Sequence, residues 1–361
     1  MQSAQAETNT NKQNDPIRMI TAGTLLTRNF KQREFIMDPW LKTEESSMIW
    51  APTGVGKTWM TLSIAVAIAG GGKLGDWEAP EPRKALLIDG EMNGQDLRDR
   101  IQQLTMSGTI KDLDMSALND NLTIAARQLQ AAGSDFIDIA DKDWQQSVLE
   151  DVIEGEFEVV IVDNLTTTTD SLADENDAAA MKSVIAFLVM MKQNGTSALL
   201  VHHANKGNNG YRGSSALGAT FESIISLQAN PNADYGTASF VLEFQKLRAR
   251  QTQATQSKVW TLMEGLWVIE DDESSTNAKV KAAVLSHKYT TRVAIAEKLG
   301  VNKSTVSRAL KVMETTGEFT EAQRIDAFRK AKVLNEMPSE GISDDDLEGT
   351  EGTRVDYNDE L

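Results

Sequence analysis

Ala51-Pro52-Thr53-Gly54-Val55-Gly56-Lys57-Thr58 has the residue types and spacing of a loop that holds phosphate, with alanine where a first glycine is usual. Glycines let successive backbone N–H groups turn inward around an anion, and the N-terminus of a following helix adds to that attraction. Lys57 is placed to reach the β- and γ-phosphates of a nucleoside triphosphate, and Thr58 to offer its hydroxyl to Mg2+. Trp59 continues the segment into that helix. Farther along, Asp163 closes the apolar run Val159-Val160-Ile161-Val162, and a carboxylate at such a strand end is a second hold on Mg2+. Hydrolysis also needs a group that polarises water. Glu91, in Ile88-Asp89-Gly90-Glu91, is the candidate general base and Asp89 its competitor, with helix capping as the alternative use of both carboxylates. His202 and His203 end another apolar run, where a histidine can hydrogen-bond a γ-phosphate. The ligands these residue types suit are ATP and Mg2+.

The elements that must position them are legible as apolar runs. Ser47-Met48-Ile49-Trp50 reads as a strand, and Trp59 to Ala69 as a mostly buried helix stopped by Gly70-Gly71-Gly72. Strands are expected at Ala85 to Asp89, Leu122 to Ala125, Phe157 to Asp163, Ser197 to His202 and Ser223 to Leu227. Helices are expected at Asn93 to Met106, Asp141 to Glu154 and Ala178 to Gln193. This alternation calls for a mostly parallel sheet with helices on both faces. Ala238 to Phe244, Ser257 to Met263 and Leu266 to Ile269 read as antiparallel, with Glu264-Gly265 as a hairpin turn. Trp40 and Leu41 are packing anchors of the lead-in.

The chain has 361 residues, 40% of them hydrophobic, with no cysteine, three histidines and a formal net charge of −17. Disulfides and thiolate chemistry are thereby excluded. No membrane-spanning run and no signal peptide is expected, which points to a cytoplasmic protein without a membrane partner. The charge is unevenly spread. Residues 338–361 carry about −8, residues 279–333 about +7, and the chain to Ala278 about −15. A polyanion would therefore be met by local loops or by the basic C-terminal segment.

Together these motifs resemble the RecA-like, AAA-type ATPases, and more narrowly the hexameric replicative helicases of the plasmid RepA type. Ala51 to Thr58 is similar to the RepA form of the loop, in which alanine also comes first. Ile88-Asp89-Gly90-Glu91 resembles the segment with the catalytic glutamate, and His203 the γ-phosphate sensor. Arg212-Gly213-Ser214-Ser215-Ala216-Leu217 is similar to the signature after the DNA-binding loop. Phe244-Gln245-Lys246-Leu247-Arg248 resembles the element that reaches a neighbour's nucleotide. The resemblance implies a homo-oligomer, a hexameric ring with ATP between subunits, single-stranded DNA in its channel and a role in DNA replication. Lys246 and Arg248 would act in trans. Lys206 and Arg212 would contact phosphates and Tyr211 would stack on a base. The glycine-rich stretch from Gly207 to Ser215 is expected to move.

Thr291 to Leu310 reads as helix-turn-helix, with Ala294, Ile295, Leu299, Val306 and Leu310 inward and Gly300 at the turn. Lys303, Ser304, Thr305, Ser307 and Arg308 would project outward to duplex DNA. It resembles winged-helix domains, with Ala282 to Ser286 as the preceding helix and Gly317-Glu318-Phe319 as the start of the wing. Docking of a replication protein is the other use of such a domain. The expected class is α/β: a RecA-like P-loop core with a mostly parallel central sheet and C-terminal antiparallel strands, plus a small all-α winged-helix domain. Its expected divisions are a disordered 1–15, an ATPase core 16–270, a linker 271–278, the winged helix-turn-helix 279–333 and a disordered acidic tail 338–361. Two alternatives to a helicase stay open: a DNA-bound ATPase switch, and a loader or recombinase-like protein.

Overall fold

The structure is a computed structural model that describes residues 17–172, 181–208, 210–212, 215–234 and 236–336. The expected disordered N-terminus and acidic tail lie outside the described residues. The described residues fall into two compact units, one ending at Arg33 and one beginning at Glu34. In the first, α1 (Ala22–Thr27) is N-capped by Thr21 and buries none of its residues. In the second, β1 (Phe35–Met37) and β2 (Leu41–Lys42) pair antiparallel. Trp40 beside them is buried, its ring 5.4 Å from Trp77 in an edge contact.

The chain then runs β3 (Ser46–Ala51), α2 (Lys57–Gly70), β4 (Gly72–Leu74), β5 (Trp77–Ala79) and β6 (Ala85–Asp89). Next come α3 (Gly94–Met106), β7 (Ile110–Lys111), α4 (Met115–Asn121), β8 (Leu122–Ala126), α5 (Lys142–Glu154) and β9 (Val159–Asp163). After α6 (Met181–Gln193) follow β10 (Ser197–His203), α7 (Ser215–Thr220), β11 (Ser223–Ala229) and β12 (Ser239–Leu247). A hairpin of β13 (Lys258–Met263) and β14 (Leu266–Asp271) completes the sheet. Its nine strands lie in the order β14-β13-β12-β11-β3-β10-β9-β6-β8. From β11 to β8 the pairing is parallel, and β12, β13 and β14 are antiparallel. The α/β expectation is met.

Local chemistry explains the boundaries. Asn93, Asp114 and Asp141 each accept backbone N–H groups of the turn that follows, so α3, α4 and α5 start one residue later. The inner strands β3, β6 and β9 are buried at every position, as a sheet covered on both faces requires. Two separate apolar clusters fill the two faces, one built on α2 and the other on α5 and α6. The order of the strands places β10 between β3 and β9, so the strand that ends in Asp163 is not the neighbour of the strand that leads into the glycine loop.

Four helices end the described chain: α8 (Thr276–Leu285), α9 (Arg292–Leu299), α10 (Lys303–Thr316) and α11 (Glu321–Glu336). They enclose a cluster of their own around Val280, Ile295, Val306, Leu310 and Phe328. Gly300, at φ 66°, caps α9 and makes the expected turn. Three details differ. The helix expected at Ala282 starts at Thr276, because the Ser275 hydroxyl accepts the Ala278 N–H and caps it inside the expected linker. On α9 the inward pair is Ile295 and Ala296, with Ala294 and Leu299 half-buried. The wing is not formed among the described residues. Gly317 ends α10, Phe319 is buried, and Thr320 and Gln323 cap each other's backbone to start α11 instead.

Candidate nucleotide site

Ala51 ends β3 wholly buried, which explains why alanine serves there: the position fills the sheet and does not line the cleft. Gly54 and Gly56 take φ of 82° and 114°, a left-handed region that disfavours side chains. A Cβ on Gly56 would also stand 2.8 Å from the Cβ of Ala238. Lys57 opens α2 immediately after, so the first-turn N–H groups face the loop. Val55 turns into the core. A cleft of 540 Å3 follows, lined among others by Thr53, Gly54, Gly56, Lys57, Thr58, Trp59, Glu91 and His203. Pro52, like Ala51 and Val55, is outside that lining.

The Lys57 ammonium lies 3.9 Å from Asp163 Oδ1, and both side chains are almost fully buried. Burial pushes the Asp163 carboxyl up to about 6, against the lowering pull of Lys57 and a hydrogen bond from Thr58. Its Oδ2 is buried without a hydrogen-bond partner. A buried carboxylate oxygen with no protein donor, beside a threonine hydroxyl, is a donor set that fits a divalent cation.

Asp89 and Glu91 separate clearly. Asp89 is buried, and its Oδ1 accepts the N–H groups of Glu91 and Met92 at 3.0 and 2.6 Å. It ties the turn that leads to α3, whose own cap is Asn93. The Glu91 side chain is 43% exposed and lines the cleft, where Oε1 is 3.6 Å from His203 Nε2. Gly90 between them permits a close approach, since a Cβ there would meet Thr167 Oγ1 at 2.0 Å. His202, one residue before His203, points the other way and donates from Nε2 to the Arg212 carbonyl at 2.7 Å.

The segment after His203 closes on itself. Asn205 N–H bonds the Gly210 carbonyl at 2.8 Å, Ala204 bridges Tyr211, and Arg212 N–H returns to His203 at 2.9 Å. The expected mobile loop is thus a short hairpin where it is described. Lys206 is exposed at its tip. The Tyr211 ring is half-buried against the second apolar cluster, its hydroxyl packed over Gly218, so it is not a free platform for a base. Gly213 and Ser214 lie outside the described residues.

Lys246 and Arg248 are far from this chain's own loop. Ser223 pairs with Leu247 on one side and with Ser47 on the other, so both basic residues stand at the start of β3, the sheet edge opposite Thr53 to Thr58. Lys246 donates to the Gly218 carbonyl at 2.9 Å and Arg248 to Glu222 at 3.2 Å. On α10, Lys303, Ser304 and Arg308 are exposed and Thr305 and Ser307 half-buried.

Several features in and beside the cleft escaped the sequence reading. Arg100 lies over the Trp59 ring at 4.7 Å, and it lines the cleft with Gln103. The stretches 236–238 and 264–265 form its far wall. Asn164, next to Asp163, donates to Glu91 Oε1 at 2.6 Å. A signal for Arg100 existed, because it interrupts the apolar stripe Leu97, Ile101, Leu104 on the inward side of α3.

A loop of this geometry between a buried central strand and a helix, with lysine, aspartate and glutamate converging from three strand ends, defines a P-loop nucleotide-binding protein of α/β fold. The AAA domain profile matches residues 14–209, more than half of the chain. The chain belongs to the AAA domain family, and so to the P-loop ATPases. Among solved structures, a KaiC-like protein from Pyrococcus horikoshii OT3 is similar at 12% identity and a TM-score of 0.45, over 65% of this chain and 93% of that one. No curated protein sequence matches the chain.

Proposed function

We propose that the protein is an oligomeric, DNA-dependent ATPase of the RepA-like helicase type, coupling hydrolysis at subunit interfaces to movement on single-stranded DNA in replication. The observation that carries this reading is the end of β10. His203 faces Glu91 in the cleft, and the backbone of the same residue holds the hairpin that presents Lys206 and Arg212. The loop N–H groups and Lys57 hold the phosphates. Thr58 and Asp163 would hold Mg2+, which would supply positive charge against the phosphate oxygens. Glu91 orients and deprotonates the attacking water. His203 hydrogen-bonds the γ-phosphate and transmits its loss to the hairpin. Lys246 and Arg248 supply positive charge to the neighbour's nucleotide. The helical C-terminal domain engages duplex DNA or a replication protein through Lys303, Ser304, Thr305 and Arg308.

Tyr211, tied to α7 at Gly218, favours a second reading, a DNA-bound switch whose hairpin moves little. Two assays separate them: ATP hydrolysis with and without single-stranded DNA, and strand displacement on a forked duplex. A motor gives both stimulation and displacement. Stimulation without displacement removes the helicase and leaves the switch or loader, whereas hydrolysis indifferent to DNA sinks all three.

A further inference from the structure

Glu91 is 43% exposed, and a glutamate so placed has several rotamers open to it, yet a general base must stay within hydrogen-bond reach of one water. Two strands converge on its Oε1. Asn164 Nδ2 donates at 2.6 Å from the end of β9, and His203 Nε2 stands 3.6 Å away at the end of β10. The asparagine is fully buried, and its other end is committed. Asn164 Oδ1 accepts the Thr167 N–H at 3.3 Å, and the Asn164 N–H bonds the Thr167 hydroxyl at 3.3 Å. That reciprocal cap fixes which amide atom is oxygen, so the NH2 group faces Glu91. Thr167 also sits against Gly90, the residue before Glu91. The amide is therefore anchored in a turn that abuts the backbone of the residue it orients.

We infer that Asn164 is a positioning residue for Glu91: it holds the carboxylate toward the cleft by a charge-assisted hydrogen bond and couples its direction to the 164–168 turn. The inference rests on Glu91 being the general base. A residue that merely capped the turn would matter for stability alone. Asn164→Asp separates the two roles, because its carboxylate still accepts the Thr167 N–H but repels Glu91 instead of donating to it. Asn164→Ser keeps a capping hydroxyl too short to reach Glu91.

Steady-state ATP hydrolysis by the full chain at saturating Mg2+, with thermal unfolding of each variant, tests it. Both variants are expected to lower kcat about tenfold or more, within the range a general base supplies, while KM stays within about twofold. The melting temperature of Asn164→Ser, which adds no charge, should stay near that of the unaltered chain. A wild-type kcat in Asn164→Ser, or a loss carried by KM, overturns the positioning role. Glu91→Gln is the control on the premise. If it hydrolyses normally, the general base is misassigned; if it is inactive while both Asn164 variants are not, only the inference fails.

Discussion

His202 and His203 are neighbours in sequence and opposites in environment, as side chains on successive strand residues must be. His202 is fully buried, and burial pushes its imidazole down from 6.5 to about 3, so the folded chain keeps it neutral. Between those values the unfolded chain binds a proton that the folded chain refuses. Stability contributed by neutral His202 is thus complete above pH 6.5 and lost as pH falls, at up to about 1.4 kcal/mol per pH unit. Asp163 has the opposite sign. Pushed from 3.8 up to about 6, it holds a proton in the folded chain and adds stability as pH falls through 6. Urea unfolding of the wild type and of His202→Asn at pH 7.5 and pH 5 isolates the histidine. The variant should lose less stability on acidification, and equal losses would remove His202 from the account. At this scale the sequence showed which residue types carry chemistry, but Asn164 was invisible. Its partner lies 73 positions away, and a lone asparagine after an aspartate has no pattern to betray it.

Turns, rather than strands or helices, set the geometry of the site. The 164–168 turn touches Gly90 so closely that Gly90→Ala must move Thr167 or the end of β6, at a cost of about 1–3 kcal/mol. Lower stability in urea together with reduced hydrolysis is the expected outcome, and full activity at wild-type stability would show that the turn yields freely. The strands and helices themselves were legible because long apolar runs between caps leave little choice. The order of the strands was not, since parallel strands joined by long crossovers carry no local mark of which neighbours which. The expected wing failed for a different reason. Thr320-Glu321-Ala322-Gln323 is a capping box that starts a helix, and the Gly317 turn before it drew the reading toward a strand.

Taken whole, the chain carries its loop at one edge of the sheet and Lys246 and Arg248 at the other. In isolation both basic side chains are engaged by α7 carbonyls and Glu222. If they complete a neighbour's site, Arg248→Ala should bind nucleotide and fail to hydrolyse it. Mixing it with Lys57→Ala should restore part of the activity, because some interfaces then pair an intact loop with an intact arginine. Normal hydrolysis by Arg248→Ala alone would dismiss the trans role. The placement of these residues also limits which assemblies can work. A two-fold dimer would finish both sites only if it set each loop against the other chain's arginine, because such a contact pairs one residue with a second and the second with the first. Head-to-tail contact joins unlike edges once per interface, and such contact propagates until it closes on itself or runs on as a helix. Every open assembly of this kind ends in one subunit whose nucleotide has no arginine, so activity per chain should climb with assembly length and level off only when the last edge finds the first.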